Sequence, residues 1–127
     1  ELTESSFVGR HEQLEASLLK LSRNNIRFAI DDFGTGYSSL SRLSRLPIAI
    51  LKIDRSFILQ IGKNKADEGI IKSVIALAQI LELEVIAEGV ENQAQADFLQ
   101  QQGCFQAQGY HYYKPLSADD VTKLLQK

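Results

Sequence analysis

The sequence predicts an α/β fold in which a parallel sheet is built from a repeated strand–helix unit. Four short apolar segments alternate with segments whose apolar residues recur with the period of a helix. This order is typical of a parallel sheet whose helices form the crossover connections. In addition, polar side chains follow each apolar segment, at the sheet edge where parallel α/β proteins gather their functional groups. The 127 residues contain no linker or low-complexity tract and therefore predict one domain.

Four strands and five helices are predicted, in the order helix, then strand and helix four times. The predicted strands are residues 26–30, 48–54, 85–87 and 105–110. The predicted helices are residues 11–23, 38–44, 70–81 and 93–102, with a last helix that follows Ser117. Residues 62–67 are predicted to form a polar connection.

Turn and cap residues support the boundaries of these elements. Pro47 separates the second helix from the strand that follows it. Asn92 is suited to begin a helix as its N-cap, and Gly103 is suited to end it. Ser117 and Asp120 resemble a capping box that opens the last helix.

Polar side chains stand at the end of every predicted strand. They are Asp31 and Asp32, Lys52 and Asp54, Glu88, and Gln108. Two adjacent carboxylates repel one another, so a cation is expected beside the Asp pair, and a divalent metal is the simplest candidate. Lys52 interrupts an otherwise apolar strand, so its ammonium group is expected to be paired or functional.

Each of these residues also has an ordinary structural explanation. An Asp-Asp pair can cap a helix, and a lysine in a strand can reach solvent at a sheet edge. Glu88 can belong to a turn, and Gln108 can satisfy backbone groups. Because all four strands carry polar groups at the same edge, the functional interpretation is favoured, and it depends on the whole set.

Composition excludes several classes of function. The 14 Lys and Arg residues against 16 Asp and Glu residues give a net charge of −2 and no basic patch for DNA or RNA binding. No apolar run reaches the length of a membrane span, and no signal peptide is visible. The single Cys104 is expected to be a buried apolar residue in a reducing compartment, which predicts a cytoplasmic location. His11 and His111 lie away from the strand ends, so a zinc site is not expected.

Two families compete for this arrangement of residues. The phosphoacceptor receiver domain has an acidic pair after a strand, a later aspartate and a Lys-Pro pair near its end. The chain offers Asp31-Asp32, Asp54 and Lys114-Pro115 for these positions. Asp54 follows the acidic pair too soon to leave room for the usual strand and helix, and a Gly-Thr-Gly loop has no role in that family.

The chain resembles the EAL-domain cyclic di-GMP phosphodiesterases much more closely. The motifs that carry the resemblance are Asp-Asp-Phe-Gly-Thr-Gly-Tyr-Ser-Ser-Leu at 31–40, Lys-Ile-Asp-Arg-Ser-Phe at 52–57, Ala-Glu-Gly-Val-Glu at 87–91, Gln-Gly-Tyr at 108–110 and Lys-Pro-Leu at 114–116. Glu-Leu-Thr-Glu at 1–4 matches a further motif of the family. The resemblance covers the whole chain and corresponds to the second half of the family's domain.

The resemblance implies the C-terminal half of a TIM-like (β/α)8 EAL barrel in which one strand is antiparallel. It also implies two Mg²⁺ or Mn²⁺ ions and the hydrolysis of cyclic di-GMP to linear pGpG. By this resemblance Glu1 and Asp31 bind the first metal, and Asp31 bridges to the second metal with Asp32 beside it. Glu88 is expected to bind the second metal, directly or through water.

The remaining roles implied by the resemblance concern water, substrate and loop support. Lys52 is expected to contact the attacking water, and Gln108 to orient the water or a nearby ligand. Asp54 and Pro115 are expected at the substrate. Glu4 is expected to brace the loop over residues 31–39, which in this family also links the active site to dimerisation.

Part of the family's pattern is absent from this sequence. The Glu-Ala-Leu tripeptide, an asparagine from the following strand and a substrate-binding arginine have no counterparts. We therefore expect residues 1–127 to be a partial EAL domain, cut from a longer protein and inactive or nearly so by itself. We also expect it to form a homodimer or to associate with the missing half-domain. The parent protein could carry an upstream sensory or cyclase domain and could be tethered to a membrane.

Two alternatives to a catalytic role remain open at this point. The first is a non-catalytic cyclic di-GMP receptor or dimerisation module of the same family. The second is a purely structural fragment. The motif acids present in this chain are intact, which favours catalysis in the parent protein.

Overall fold

The structure is a computed structural model that describes residues 1–3, 11–34 and 43–126. Five strands form one sheet in chain order, and every pair of neighbouring strands is parallel. The strands are β1 (Leu2–Thr3), β2 (Phe28–Phe33), β3 (Ile48–Ile53), β4 (Glu84–Glu88) and β5 (Gln106–Gln108). The helices of the described residues are α1 (His11–Ser22), α2 (Arg55–Ile58), α3 (Lys65–Ile80), α4 (Gln93–Gln101) and α5 (Ala118–Leu125).

The predicted parallel strand–helix repeat is confirmed, but the prediction of four strands is wrong. The additional strand β1 has only two residues, and Leu2 pairs with Ile30 while Thr3 pairs with Asp31. Two residues show no hydrophobic period, so a pattern in the sequence could not reveal this strand. It is defined only by its parallel pairing with β2, on the side of β2 away from β3.

The second correction concerns β2, which was predicted over 26–30. The observed strand continues through Asp31, Asp32 and Phe33, so the acidic pair lies inside the strand and not after it. Phe33 is buried and belongs to the core, which explains why the strand continues past the acids.

The helix boundaries differ from the predictions at two places. Residues 65–67, predicted to belong to a connection, form the first turn of α3, where the Asn64 side chain accepts hydrogen bonds from the N–H groups of Ala66 and Asp67. The short helix α2 was not predicted, because its four residues are fewer than a recognisable period. The predicted helix over 38–44 lies largely outside the described residues.

The predicted N-caps of α4 and α5 are confirmed. The Asn92 side chain accepts a hydrogen bond from the N–H of Gln95 at 2.9 Å. The Ser117 hydroxyl oxygen accepts one from the N–H of Asp120 at 3.3 Å. Each cap satisfies a backbone donor that has no partner within the helix.

The core lies between the sheet and α3. Leu51, Ile53 and Ala87 on β3 and β4 are fully buried, and the buried face of α3 packs against them with Ile71 and Ala78. Consecutive strand residues point to opposite faces, so Lys52 and Glu88 lie on the sheet face that α3 does not cover. This geometry leaves the polar residues of β3 and β4 free to form a site.

Cys104 is buried beside the carbonyl oxygens of Val85 and Gln106, as expected for an apolar packing residue. Burial raises the pKa of its thiol above the ordinary value. Among the described residues, no helix is both long enough and apolar enough to cross a membrane.

Candidate metal centre

A β-bulge brings the two adjacent aspartates to the same site. Ile30 pairs with Leu51 and Phe33 pairs with Ile53, so Asp31 and Asp32 together stand opposite the single residue Lys52. Asp32 has a φ of +55°, a left-handed conformation that aspartate tolerates better than most residues. In a regular strand, neighbouring side chains would point to opposite faces, and only one of the two acids could face Lys52.

The carboxylates of Asp31, Asp32 and Glu88 form a cluster at the carboxyl ends of β2 and β4. Each residue offers one oxygen, and these oxygens lie within 4.8 Å of one another. All three residues are half-buried. This is the three-carboxylate cluster, and it brings Glu88 to two adjacent acids that precede it by 56 and 57 residues in the chain.

Lys52 is the buried cation of the site, with a side chain that is only 8% exposed. Its Nζ donates to Glu1 Oε1 at 2.7 Å and lies 2.8 Å from Glu88 Oε1. Burial alone would lower the pKa of Lys52, but the hydrogen bonds and charges of the two glutamates outweigh burial and raise it above its ordinary value. The expectation that this lysine is paired is confirmed.

One lysine does not balance the negative charge at this edge. Burial raises the pKa of Glu88 to about 7, and Asp31 adds to that rise although Lys52 opposes it. A hydrogen bond with Asp54, then burial, then the charge of Asp31 raise the pKa of Asp32. Among the described residues, the positive charge of Lys52 does not offset burial and the neighbouring acids at these carboxyl groups, and a divalent cation is the kind of group that would supply more.

Asp54 has a structural role at this edge. It is the N-cap of α2, and its Oδ2 accepts a hydrogen bond from the N–H of Ser56 at 2.9 Å. Burial raises the pKa of Asp54, but hydrogen bonds from Ser56 outweigh burial and hold the pKa below its ordinary value. Because Asp54 also bonds to Asp32, it connects α2 to the three-carboxylate cluster.

The other predicted site residues that the structure describes are Glu1, Gln108 and Pro115. Glu1 is half-exposed and reaches the site through Lys52. Gln108 ends β5 opposite Glu88 in the strand register, and its side chain is exposed. Pro115 is exposed in the segment before α5, and Glu4 lies outside the described residues.

Sequence reasoning assigned no role to Arg55 and Glu91, although both belong to the motifs it identified. The Arg55 guanidinium lies 2.5 Å from a carboxylate oxygen of Glu91. The two residues line a cavity of about 190 Å³ together with Gly89, Gly109 and Tyr110. The signal that could have identified this pair is the opposite charge of Arg55 and Glu91, which lie in two successive motifs of the sequence.

The donor atoms suit a hard divalent cation. All three groups of the cluster are carboxylates, and oxygen ligands favour Mg²⁺, Mn²⁺ or Ca²⁺ over softer metals. The spacing of the oxygens is small enough for one ion to contact more than one of them. The residues present therefore fit a divalent metal.

The fold and this site together define an α/β domain with a carboxylate-lined centre for divalent metal at the carboxyl edge of its sheet. The family model described as the EAL domain matches residues 1–115. The chain belongs to the EAL domain family.

Relatives and solved structures agree with this assignment. The cyclic di-GMP phosphodiesterase NbdA of Pseudomonas aeruginosa is 45% identical over 116 residues, which are 91% of this chain and 15% of NbdA. A PaMucR phosphodiesterase solved in complex with c-di-GMP superposes with a TM-score of 0.90 and 41% identity, over 94% of this chain and 49% of that one. A Klebsiella pneumoniae protein solved with manganese and cyclic di-GMP gives a TM-score of 0.78 and 33% identity, over 86% of this chain and 28% of that one.

The chain is much shorter than the proteins it matches. It spans 20% of the first curated relatives and 15% of NbdA. It spans about half of the PaMucR chain, 49%, and superposes on that part as a parallel strand–helix repeat. The expected fold class, a partial EAL barrel of parallel strand–helix units, is confirmed.

Proposed function

We propose that the protein containing this chain is a divalent-metal-dependent phosphodiesterase that hydrolyses cyclic di-GMP to linear pGpG. The observation that carries the proposal is the three-carboxylate cluster of Asp31, Asp32 and Glu88, which meets the buried ammonium group of Lys52. Supporting it, NbdA is named a cyclic di-GMP phosphodiesterase, and the PaMucR structure contains c-di-GMP. We infer that residues 1–127 are the C-terminal half of the EAL domain.

We propose that Asp31, Asp32 and Glu88 hold the metal ions, with Glu1 completing the set from the start of β1. Two Mg²⁺ or Mn²⁺ ions are the proposed cofactors, and manganese accompanies the dinucleotide in the Klebsiella protein. Bound at such a centre, divalent ions neutralise the phosphodiester and lower the pKa of a coordinated water.

Lys52 contributes a fixed positive charge to the reaction. Its pKa lies above the ordinary value, so the side chain is an ammonium group at neutral pH and donates hydrogen bonds only. It is suited to orient water and to counter the charge that develops at the phosphate. Glu88, bonded to Lys52 at 2.8 Å, fixes the direction of that ammonium group.

The remaining residues are proposed to position the reactants. Gln108, opposite Glu88 in the register of β4 and β5, is suited to orient water or ligand because its amide both donates and accepts. Asp54 and Pro115 are proposed to lie at the substrate, and Glu4 to brace residues 31–39.

We propose three features of the full protein that follow from the family. It carries further domains, such as a sensory or cyclase domain, because the relatives are several times longer than this chain. It associates through its EAL domains as a homodimer. It acts in the cytoplasm, where a nucleotide second messenger is available to it.

The test is hydrolysis of cyclic di-GMP by the full-length protein, with pGpG measured by chromatography. We expect turnover with Mg²⁺ or Mn²⁺ and its complete loss in excess EDTA, because the cluster carries more negative charge than Lys52 can balance. Asp31→Asn is expected to reduce turnover by about a hundredfold or more, because it removes a metal ligand.

Asp97→Asn is the matched control for this test. Asp97 is an exposed aspartate of α4 whose carboxylate accepts a hydrogen bond from Gln93 on the same helix, so its loss should leave turnover unchanged. Wild-type turnover by Asp31→Asn would contradict the proposed site. Metal-dependent binding of cyclic di-GMP without any turnover would favour the receptor function instead.

A further inference from the structure

We propose that Arg55 is a positioning residue that fixes the turn after β4 and thereby holds Glu88 in the three-carboxylate cluster. This inference rests on the proposed function, since it concerns a carboxylate assigned to metal binding. The geometry points to Arg55 because its side chain leaves α2 and crosses to the segment of residues 89–91, here called the β4 turn.

The first contact between Arg55 and the β4 turn is electrostatic. Arg55 Nη2 lies 2.5 Å from Glu91 Oε1, and the two side chains are 60% and 36% exposed. An ion pair this exposed contributes little to the stability of the fold. Its larger effect is geometric, because it joins elements that are 36 residues apart.

The second contact is steric and involves Gly89. A Cβ at this position would lie 2.3 Å from Cγ and 2.8 Å from Cβ of Arg55, so the arginine stem rests directly on the glycine backbone. Gly89 also has a φ of +75°, which glycine adopts without cost. The stem of Arg55 therefore covers the residue that directly follows Glu88.

Backbone hydrogen bonds hold the other sides of the β4 turn. The Val90 N–H donates to the Gln108 carbonyl at 3.0 Å, and the His111 N–H donates to the Val90 carbonyl at 2.9 Å. The Glu91 N–H donates at 2.7 Å to the side-chain oxygen of Gln95, which is buried on α4. Arg55 contacts the β4 turn from the remaining side, that of α2.

The junction of β3 and α2 thus contacts the end of β4 twice. Lys52 Nζ lies 2.8 Å from the Glu88 carboxylate, and Arg55, three residues later, holds the turn that follows Glu88. Losing the second contact removes the support of the β4 turn on the side of α2, and Glu88 can then shift relative to Asp31 and Asp32. Residues that orient metal ligands typically change metal affinity by ten- to a hundredfold when they are replaced.

The test uses Arg55→Met in the full-length protein, which keeps the apolar stem over Gly89 but removes the ion pair. We expect Mn²⁺ affinity, measured by electron paramagnetic resonance of free Mn²⁺, to fall about tenfold. The urea midpoint of unfolding should hardly change, because the pair is exposed. Glu91→Gln removes the same ion pair from the other partner and should reproduce the loss, and Arg55→Lys should restore part of the affinity.

Arg27→Met is the matched control. Arg27 forms an equally exposed ion pair with Glu84, at 2.9 Å, but at the opposite end of β4. We expect this variant to bind Mn²⁺ as the wild type does. If Arg55→Met binds Mn²⁺ as tightly as Arg27→Met, or if it lowers the unfolding midpoint without changing affinity, the positioning role is overturned. If the wild type itself binds no Mn²⁺, the proposed function is overturned together with this inference.

Discussion

Lys52 shows how a single side chain can be both buried and charged. It belongs to an otherwise apolar strand, and its ammonium group contacts two acidic partners, Glu1 and Glu88. Desolvation of the charge is offset by these hydrogen bonds, and the negative charge of the cluster is partly neutralised in return. Lys52 therefore stabilises the site as well as serving the proposed chemistry.

Replacing Lys52 by methionine separates these two contributions. Lys52→Met keeps the length of the stem but leaves Glu88 without a cation, so we expect the free energy of unfolding at neutral pH to fall by about 1–3 kcal/mol. Added Mn²⁺ should restore part of the stability lost in Lys52→Met, because the ion supplies positive charge to the carboxylates that Lys52 contacts. It should restore less of any stability lost in Arg27→Met, whose ion pair lies at the other end of β4. Urea unfolding with and without Mn²⁺ measures both effects, and equal recovery in the two variants would contradict the assignment.

At the scale of elements, the ends of β4 and β5 depend on backbone contact that only glycine permits. A Cβ on Gly109 would lie 2.3 Å from both the N and the O atoms of Val90. The neighbouring hydrogen bond from the Val90 N–H to the Gln108 carbonyl is 3.0 Å long and ties the two strand ends together. The positions of Glu88 and Gln108 thus depend on a residue without a side chain.

Gly109→Ala is expected to destabilise the protein by about 2 kcal/mol or more, since backbone atoms must separate to admit the methyl group. Gly69→Ala is the matched control, because Gly69 lies on the exposed side of α3 with no atom within 4 Å of the added Cβ. That substitution should stabilise the protein by about 0.5–1 kcal/mol through helix propensity. Urea denaturation compares the two, and a shift of the same sign in both would refute this account.

At the scale of the whole molecule, β1 and β5 are the outermost strands of the sheet that the described residues form. Within the described residues, no strand pairs with the outer edge of β1 or of β5. Large apolar side chains are also exposed, including Phe105 at 81% and Ile80 at 77%. Unpaired strand edges and exposed apolar surface favour association with another chain or segment.

We therefore expect the 127-residue chain, expressed alone, to associate with itself. Light scattering at micromolar concentration measures this directly. Co-expression with the proposed N-terminal half of an EAL domain should suppress the self-association, because that half is expected to pair with the same edges. A monodisperse monomer in the absence of that half would contradict this prediction.

Much of the fold could be predicted because periodicity is a local property of the chain. Burial can be predicted from the apolar runs of β3 and β4 and from the helical pattern of α3. The alternation of strands and helices predicts a parallel sheet. The caps Asn92 and Ser117 were also predictable, since a cap bonds to the backbone two or three residues away. The strand β1 and the helix α2 were not, because each is shorter than one recognisable period.

The sequence by itself predicted which polar residues gather at one edge of the sheet, and the tertiary structure decided how they meet. Polar residues after apolar runs identified Asp31, Lys52 and Glu88, since strand ends in a parallel sheet share one edge. The bulge that places Asp31 and Asp32 together opposite Lys52 depends on the pairing of β2 with β3, which no local pattern encodes. The contact of Arg55 with Gly89 and Glu91 depends likewise on two distant segments meeting, so only the folded chain could reveal it.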